Sequence, residues 1–226
     1  NLNIIGAGQV ILSNGGNSYF GTTTVNGGTL EITANGSTLD SSSLMLENQG
    51  TLEFNDANTS GFPNFNFNNT ITLGTGGGAE INSGEDEFFG SIVGPTSSLS
   101  ISGSGDFLYA GGPSDVGTIN VTGARVLLFG NTLNLLANNA TVNVFATGNL
   151  DFGTTNATVT NAINLASGAA LETRNGNLTF TNVNLPTSGI VTLGSDDVGG
   201  GSLVFNGNAL NLTGDLTLAV GGRNGG

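Results

Sequence analysis

Ile119-Asn120-Val121, Val142-Asn143-Val144, Ile163-Asn164-Leu165 and Val183-Asn184-Leu185 repeat one three-residue phrase at nearly even steps. The phrase is apolar, polar, apolar. Alternation with period two sends residues i and i+2 to one face of a strand and the residue between them to the other. The same phrase spreads in both directions as Leu30-Glu31-Ile32, Leu52-Glu53-Phe54, Ile71-Thr72-Leu73, Leu99-Ser100-Ile101, Leu133-Asn134-Leu135, Leu150-Asp151-Phe152, Leu178-Thr179-Phe180, Leu203-Val204-Phe205 and Leu216-Thr217-Leu218. Gly, Asn, Ser or Asp follows nearly every copy, and these residues accept the backbone of sharp turns. No stretch sustains apolar residues at i, i+3, i+4 and i+7 over several turns, so the chain is all-β.

Val121, Val144, Leu165, Leu185 and Phe205 end triplets at a period of about 20–23 residues, with one or two further triplets between successive members. A period near 20 that contains two or three short strands matches one coil of a parallel β-helix, whereas a propeller blade needs roughly 40. The 226 residues then form one continuous β-solenoid, residues 1–226, of roughly ten coils stacked at about 4.8 Å. These five side chains are expected to stack as a core column. Asn and Thr are expected to form side-chain ladders along the axis.

Composition narrows function. The chain has 39 Gly, no Cys, no His and no Trp, and its three cations are Arg125, Arg174 and Arg223 against 16 acidic residues, for a net charge of −13. Lack of Cys and His removes disulfides, thiolate and imidazole chemistry, and ordinary zinc or copper sites. With so few cations, neither nucleic acid nor an anionic membrane is a fitting partner. No apolar run approaches the roughly 20 residues of a membrane helix, so the chain is not expected to be membrane-embedded. It starts at Asn1 without Met and is taken as a mature piece or fragment of a longer exported protein.

The stretch from Gly6 to Leu30 carries Asn17, Tyr19, Gly21, Thr23, Val25, Gly28, Thr29 and Leu30 in the order Asn-x-Tyr-x-Gly-x-Thr-x-Val-x-x-Gly-Thr-Leu, after a Gly-x-Gly-x-aliphatic strand. This resembles the passenger-associated repeat of bacterial autotransporters and other β-helical surface adhesins. The resemblance covers about 25 residues, with looser echoes such as Ser167-Gly168-Ala169-Ala170-Leu171-Glu172. It implies a right-handed parallel β-helix, secreted or on the bacterial outer surface, that serves as a stalk, adhesin or matrix component and is not an enzyme.

Candidate chemistry is sparse. Glycoside hydrolysis needs two convergent carboxyls, and the adjacent Asp196 and Asp197 point to opposite faces of a strand. Arg174 and Glu172, two apart, read as an ion pair on one strand face. Weak calcium candidates are Asp106 and Asp115, nine apart among glycines, and the acidic run Glu85, Asp86 and Glu87, read as a solvated loop. No cofactor other than calcium is expected.

Two functions from different classes follow. The first is an extracellular structural or adhesive solenoid, a cell-surface stalk or the subunit of a fibre or biofilm matrix. The second is a carbohydrate-binding or polysaccharide-cleaving β-helix, which a lateral groove lined by aromatic and acidic residues would favour. The expected partners are a second copy of the chain or a surface polysaccharide. The strands holding Leu2 and Ile4 and holding Leu216 and Leu218 are uncharged edges suited to head-to-tail pairing between copies.

Overall fold

The computed structural model describes residues 1–13, 21–33, 43–55, 65–74, 79–88, 90–129, 133–153, 156–174, 176–195, 201–207 and 213–220. Strands dominate, and every pairing among these residues is parallel, from Leu2–Ile5 on Thr23–Asn26 to Gly189–Ser195 on Leu216–Val220. Parallel neighbours demand a long return path. Here the path is one circuit of a solenoid.

Three ladders run along the axis. The first stacks Leu2–Ile5, Thr23–Asn26, Leu44–Glu47 and Ile71–Leu73. The second links Gln9–Leu12, Thr29–Ile32 and Thr51–Phe54 and continues through Ala79–Phe88, Ile92–Tyr109, Asp115–Thr122, Thr141–Val144 and Ile163–Leu165. The third has seven consecutive rungs from Phe65–Phe67 to Gly189–Ser195. A small separate sheet joins Asn156–Val159, Asn177–Phe180 and Ser202–Phe205.

The solenoid has about seven turns, somewhat fewer than the ten expected from the spacing. The circuits are also unequal in length. The circuit from Asp106 to its register partner Arg125 is short, whereas the circuit from Leu52 to Ile81 is half as long again. The excess lies in connections between strands, which consume chain without adding a turn.

The core is the inward face of each triplet. Leu30, Leu52, Ile101, Val121, Val144 and Leu165 are all buried, and Val121 pairs in register with Val144 and Val144 with Leu165. Leu185 is half-buried just past Val183–Asn184, and it packs against this core. Phe205 departs from the expected column: its register partner is Phe180, in the small sheet, and the two rings stack at 5.6 Å. Its coil-length spacing from Leu185 misleads because the coil holds several strands, and spacing alone does not say which of them a triplet continues.

Polar positions stack too. Asn143 donates to Asn120, Asn164 to Asn143 and Asn184 to Asn164, at 2.9, 2.8 and 2.7 Å. An amide carries both donor and acceptor, so each rung satisfies the next. Among the described residues the only helix is a 3-10 turn at Asn134–Asn139, where the triplet Leu133-Asn134-Leu135 reads as a strand. Leu135 and Leu136 are adjacent and both sit in the hydrophobic core, which the alternating faces of a strand do not allow, and Asn161 pins the turn by donating to the carbonyls of Leu136 and Ala140.

Two corners are built alike. Gly50 N–H donates to Glu47 O and Gly148 N–H to Phe145 O, each after a left-handed residue, Gln49 or Thr147. A Cβ on Gly148 would lie 2.7 Å from the carbonyl oxygen of Val121 in the preceding coil, and one on Gly50 would lie still closer to that of Val25. Glycine at these corners is what lets the coils approach to hydrogen-bonding distance. A further corner carries a buried phenol: Tyr109 donates toward Gly90 O and Gly112 O and shares a short bond with Ser114, and burial pushes its pKa up.

The inside and outside of the solenoid are separable by two phenylalanines. Phe152 is fully buried and meets Phe180 edge-on at 5.5 Å, whereas Phe145 is 45% exposed. Phe152→Ala should cost about 3–5 kcal/mol in urea unfolding, and Phe145→Ala should stay within about 0.5 kcal/mol. Equal losses would show that the assigned inner face is wrong.

Candidate functional site

The outward face of the third ladder carries charge into a nearly dry setting. One register column runs Asp106, Arg125, Asn149, Ala170, Thr192, and the column beside it runs Leu127, Asp151, Glu172, Gly194. Each polar member occupies the outward position of an alternating strand, so it faces away from the core formed by Phe107, Val126, Leu150 and Leu171.

Buried charges must be paired to be tolerated, and here pairing crosses coils. Arg125 grips the Asp106 carboxylate through two of its nitrogens, with Nε at 2.9 Å from Oδ1, and its Nη1 lies 3.8 Å from Asp151 Oδ2. Arg174 Nε donates to the same Asp151 oxygen at 3.2 Å. The Asp151 side chain is fully buried. The expected Arg174–Glu172 pair is therefore corrected: Arg174 reaches back one coil to Asp151. Glu172, 2% exposed, instead accepts a 2.6 Å hydrogen bond from Asn149 Nδ2. The reason is strand geometry. Adjacent coils lie about 4.8 Å apart, closer than the roughly 6.6 Å between i and i+2 along one strand, so outward side chains meet across the ladder.

Next to this network lies a lateral groove of about 340 Å³. Ser104, Arg125, Thr147, Asn149, Glu172 and Thr192 line it together with Ala170 and three corner glycines. No aromatic side chain is among its lining residues. The volume is at the lower end of ligand pockets, about 300–1,000 Å³.

The residues singled out from sequence are placed as follows. Asp106 is ion-paired to Arg125, and Asp115 opens a strand of a different ladder stretch, with Val93 as its register partner. The two are not brought together. Glu85, Asp86 and Glu87 lie within the strand Ala79–Phe88, opposite Asp106, Phe107 and Leu108, and not in a loop. Among the described residues no group of three or more acidic side chains is placed to hold a metal ion. Asp196 and Asp197 lie outside the described residues. At the edges, Ile4 is buried and Leu2 and Leu216 are half-buried, while Leu218 is 45% exposed.

Asn149, Asp151 and the groove were not legible as a site from sequence. The one signal was a carboxylate in the middle of Leu150-Asp151-Phe152 and another a coil later at Glu172. Two acids at coil spacing are stacked neighbours, which calls for cations nearby.

Comparison with known proteins adds one match: residues 5–32 fit the passenger-associated-transport-repeat family model. No curated protein and no solved structure matches the chain significantly. The matched segment holds the strands Gln9–Leu12, Thr23–Asn26 and Thr29–Ile32, the first coils of the stack. The repeat implies a secreted or outer-surface protein, and the all-β solenoid fits an extracellular β-helical passenger.

Replacing both arginines, Arg125→Met with Arg174→Met, strips the cations from a fully buried Asp151. The expected loss is about 3–5 kcal/mol in chemical denaturation, and adding Asp151→Leu to the pair should recover most of it. A double variant as stable as the parent would show that the network is incidental.

Proposed function

We propose that a chain with this repeat at residues 5–32 serves as an exported β-solenoid passenger, a stalk or adhesive rod on the outer cell surface. The observation that supports the reading is the continuous parallel stack itself. Each coil is held by the coils on either side, an arrangement that extends indefinitely by adding coils and projects whatever it carries away from a surface. The strands Leu2–Ile5 and Leu216–Val220 offer docking edges, and a second copy stacked head to tail is the partner proposed for them; Ile5 and Leu218 stand exposed there. Calcium is not part of this proposal, since Asp106 is committed to Arg125.

A non-catalytic role is supported by the groove. Among the described residues its lining contains one carboxylate, Glu172, where glycoside hydrolysis takes two. The neighbouring acid, Asp151, is fully buried and bound to arginine.

Protease shaving of intact producing cells should remove the chain while cytoplasmic markers survive, and purified chain should compete with those cells for attachment. Retention of the chain after shaving would defeat the surface assignment. Light scattering on a dilution series reads assembly separately: mass rising with concentration is expected, and a constant monomer mass would remove the second copy as partner.

A further inference from the structure

We propose that the lateral groove beside Asn149 and Glu172 binds sugar residues of a polysaccharide that is neutral or amino-substituted and not acidic. This goes beyond the passenger reading and does not rest on it.

Glu172 is the starting point. Its side chain lines the groove, yet it is 2% exposed and receives one hydrogen bond, from Asn149, with no arginine in bridging distance among the described residues. An ionised carboxylate offers about four acceptor positions. One is filled from the protein, so the remainder call for donors from the groove side. Asn149 makes the arrangement directional. Its Nδ2 is committed to Glu172, and its Oδ1 is buried with no partner. An amide that leaves its own oxygen unmatched while orienting a carboxylate is poorly explained by stability alone, because buried polar atoms are nearly always satisfied.

The rest of the lining selects the ligand class. Ser104, Thr147 and Thr192 supply hydroxyls and Arg125 a guanidinium, and no large apolar side chain lines the groove. A ligand that fits must be polar over its whole surface and must both donate and accept. Sugar hydroxyls do this, and adjacent hydroxyls on a pyranose present paired donors to a carboxylate. The groove also follows the axis: its column from Arg125 through Asn149 and Ala170 to Thr192 makes three steps, or about 14 Å at the strand spacing. That suits a short run of a linear glycan better than an isolated small molecule. Ala170 keeps the groove open, since it is the shortest side chain of the column and stands between Asn149 and Thr192.

Charge sets the preference within the class. Asp106 and Asp151 are matched by Arg125 and Arg174, which leaves Glu172 as the unmatched charge. On a chain of net charge −13 this disfavours a polyuronate through like-charge repulsion. An amino group or a hydroxyl is accepted.

Isothermal titration calorimetry of the whole chain with trimers and tetramers of chitin, chitosan, cellulose and polygalacturonate tests the proposal. At least one uncharged or amino oligomer should bind with Kd of about 0.1–1 mM, and the galacturonate oligomers should bind at least about tenfold more weakly. Ala170→Leu, which fills the groove from a half-exposed strand position, should weaken binding by about tenfold or more with an unchanged melting temperature. Glu172→Gln should do the same by removing the charged acceptor. The proposal is overturned by no saturable binding of any non-acidic oligomer below about 10 mM, by an Ala170→Leu variant that binds like the parent, or by a preference for the galacturonate oligomers. Any of these leaves the stalk reading standing, because shaving and attachment do not depend on the groove.

Discussion

Everything in this molecule depends on the parallel backbone ladder between one coil and the next. Strands this short are not stable alone, and here each is held only because the chain returns to the same place one circuit later. That return forces like onto like. Val121 meets Val144 and Asn120 meets Asn143 because the backbone register leaves them no other neighbour. The core is viable because its contacts repeat along the axis, where an isolated coil would bury too little surface to offset its entropy.

The same constraint turns surface chemistry into buried chemistry. An outward acid on a lone strand would be solvated, but stacking places Asp151 against Glu172 and draws Arg125 and Arg174 across the coils to meet them. Such pairs add little net stability over an apolar replacement. Their effect is on register: a slip by one residue would turn Asp151 to the inner face and expel Leu150 and Phe152 from it, leaving a charge in a dry core. The charged columns thus hold the third ladder in phase, as the asparagine column holds the second.

Corners and connections are where the coils differ, and the groove lies there. The glycines at 148 and 168 and the short side chain of Ala170 hollow out one edge of the stack, while the strands on either side keep their regular spacing. Loop composition can change without disturbing the ladders, since a connection contributes length and not pairing. The groove proposed to take a glycan, with Glu172 hydrogen-bonded to Asn149, lies along such an edge.

The sequence by itself determined the all-β class, the coil period and most of the core, because alternation is a local property and Leu150, Phe152, Val142 and Val144 announce their own faces. It also determined which chemistries are absent, since residue types that do not occur cannot act. The resemblance of residues 6–30 to a passenger repeat was equally legible, being carried by turn glycines at fixed offsets. Tertiary structure decided which triplet stacks on which, and therefore the site. Spacing does not say which strand of a coil a triplet continues, so Phe205 lies on Phe180 and not Leu185, Leu133-Asn134-Leu135 runs into a 3-10 corner, and Glu85, Asp86 and Glu87 lie in a strand. Arg174 pairs with Asp151 in place of Glu172 because adjacent coils lie closer together than alternate residues of one strand. The decisive neighbour of each residue is about one circuit away, and no local pattern encodes how long that circuit is.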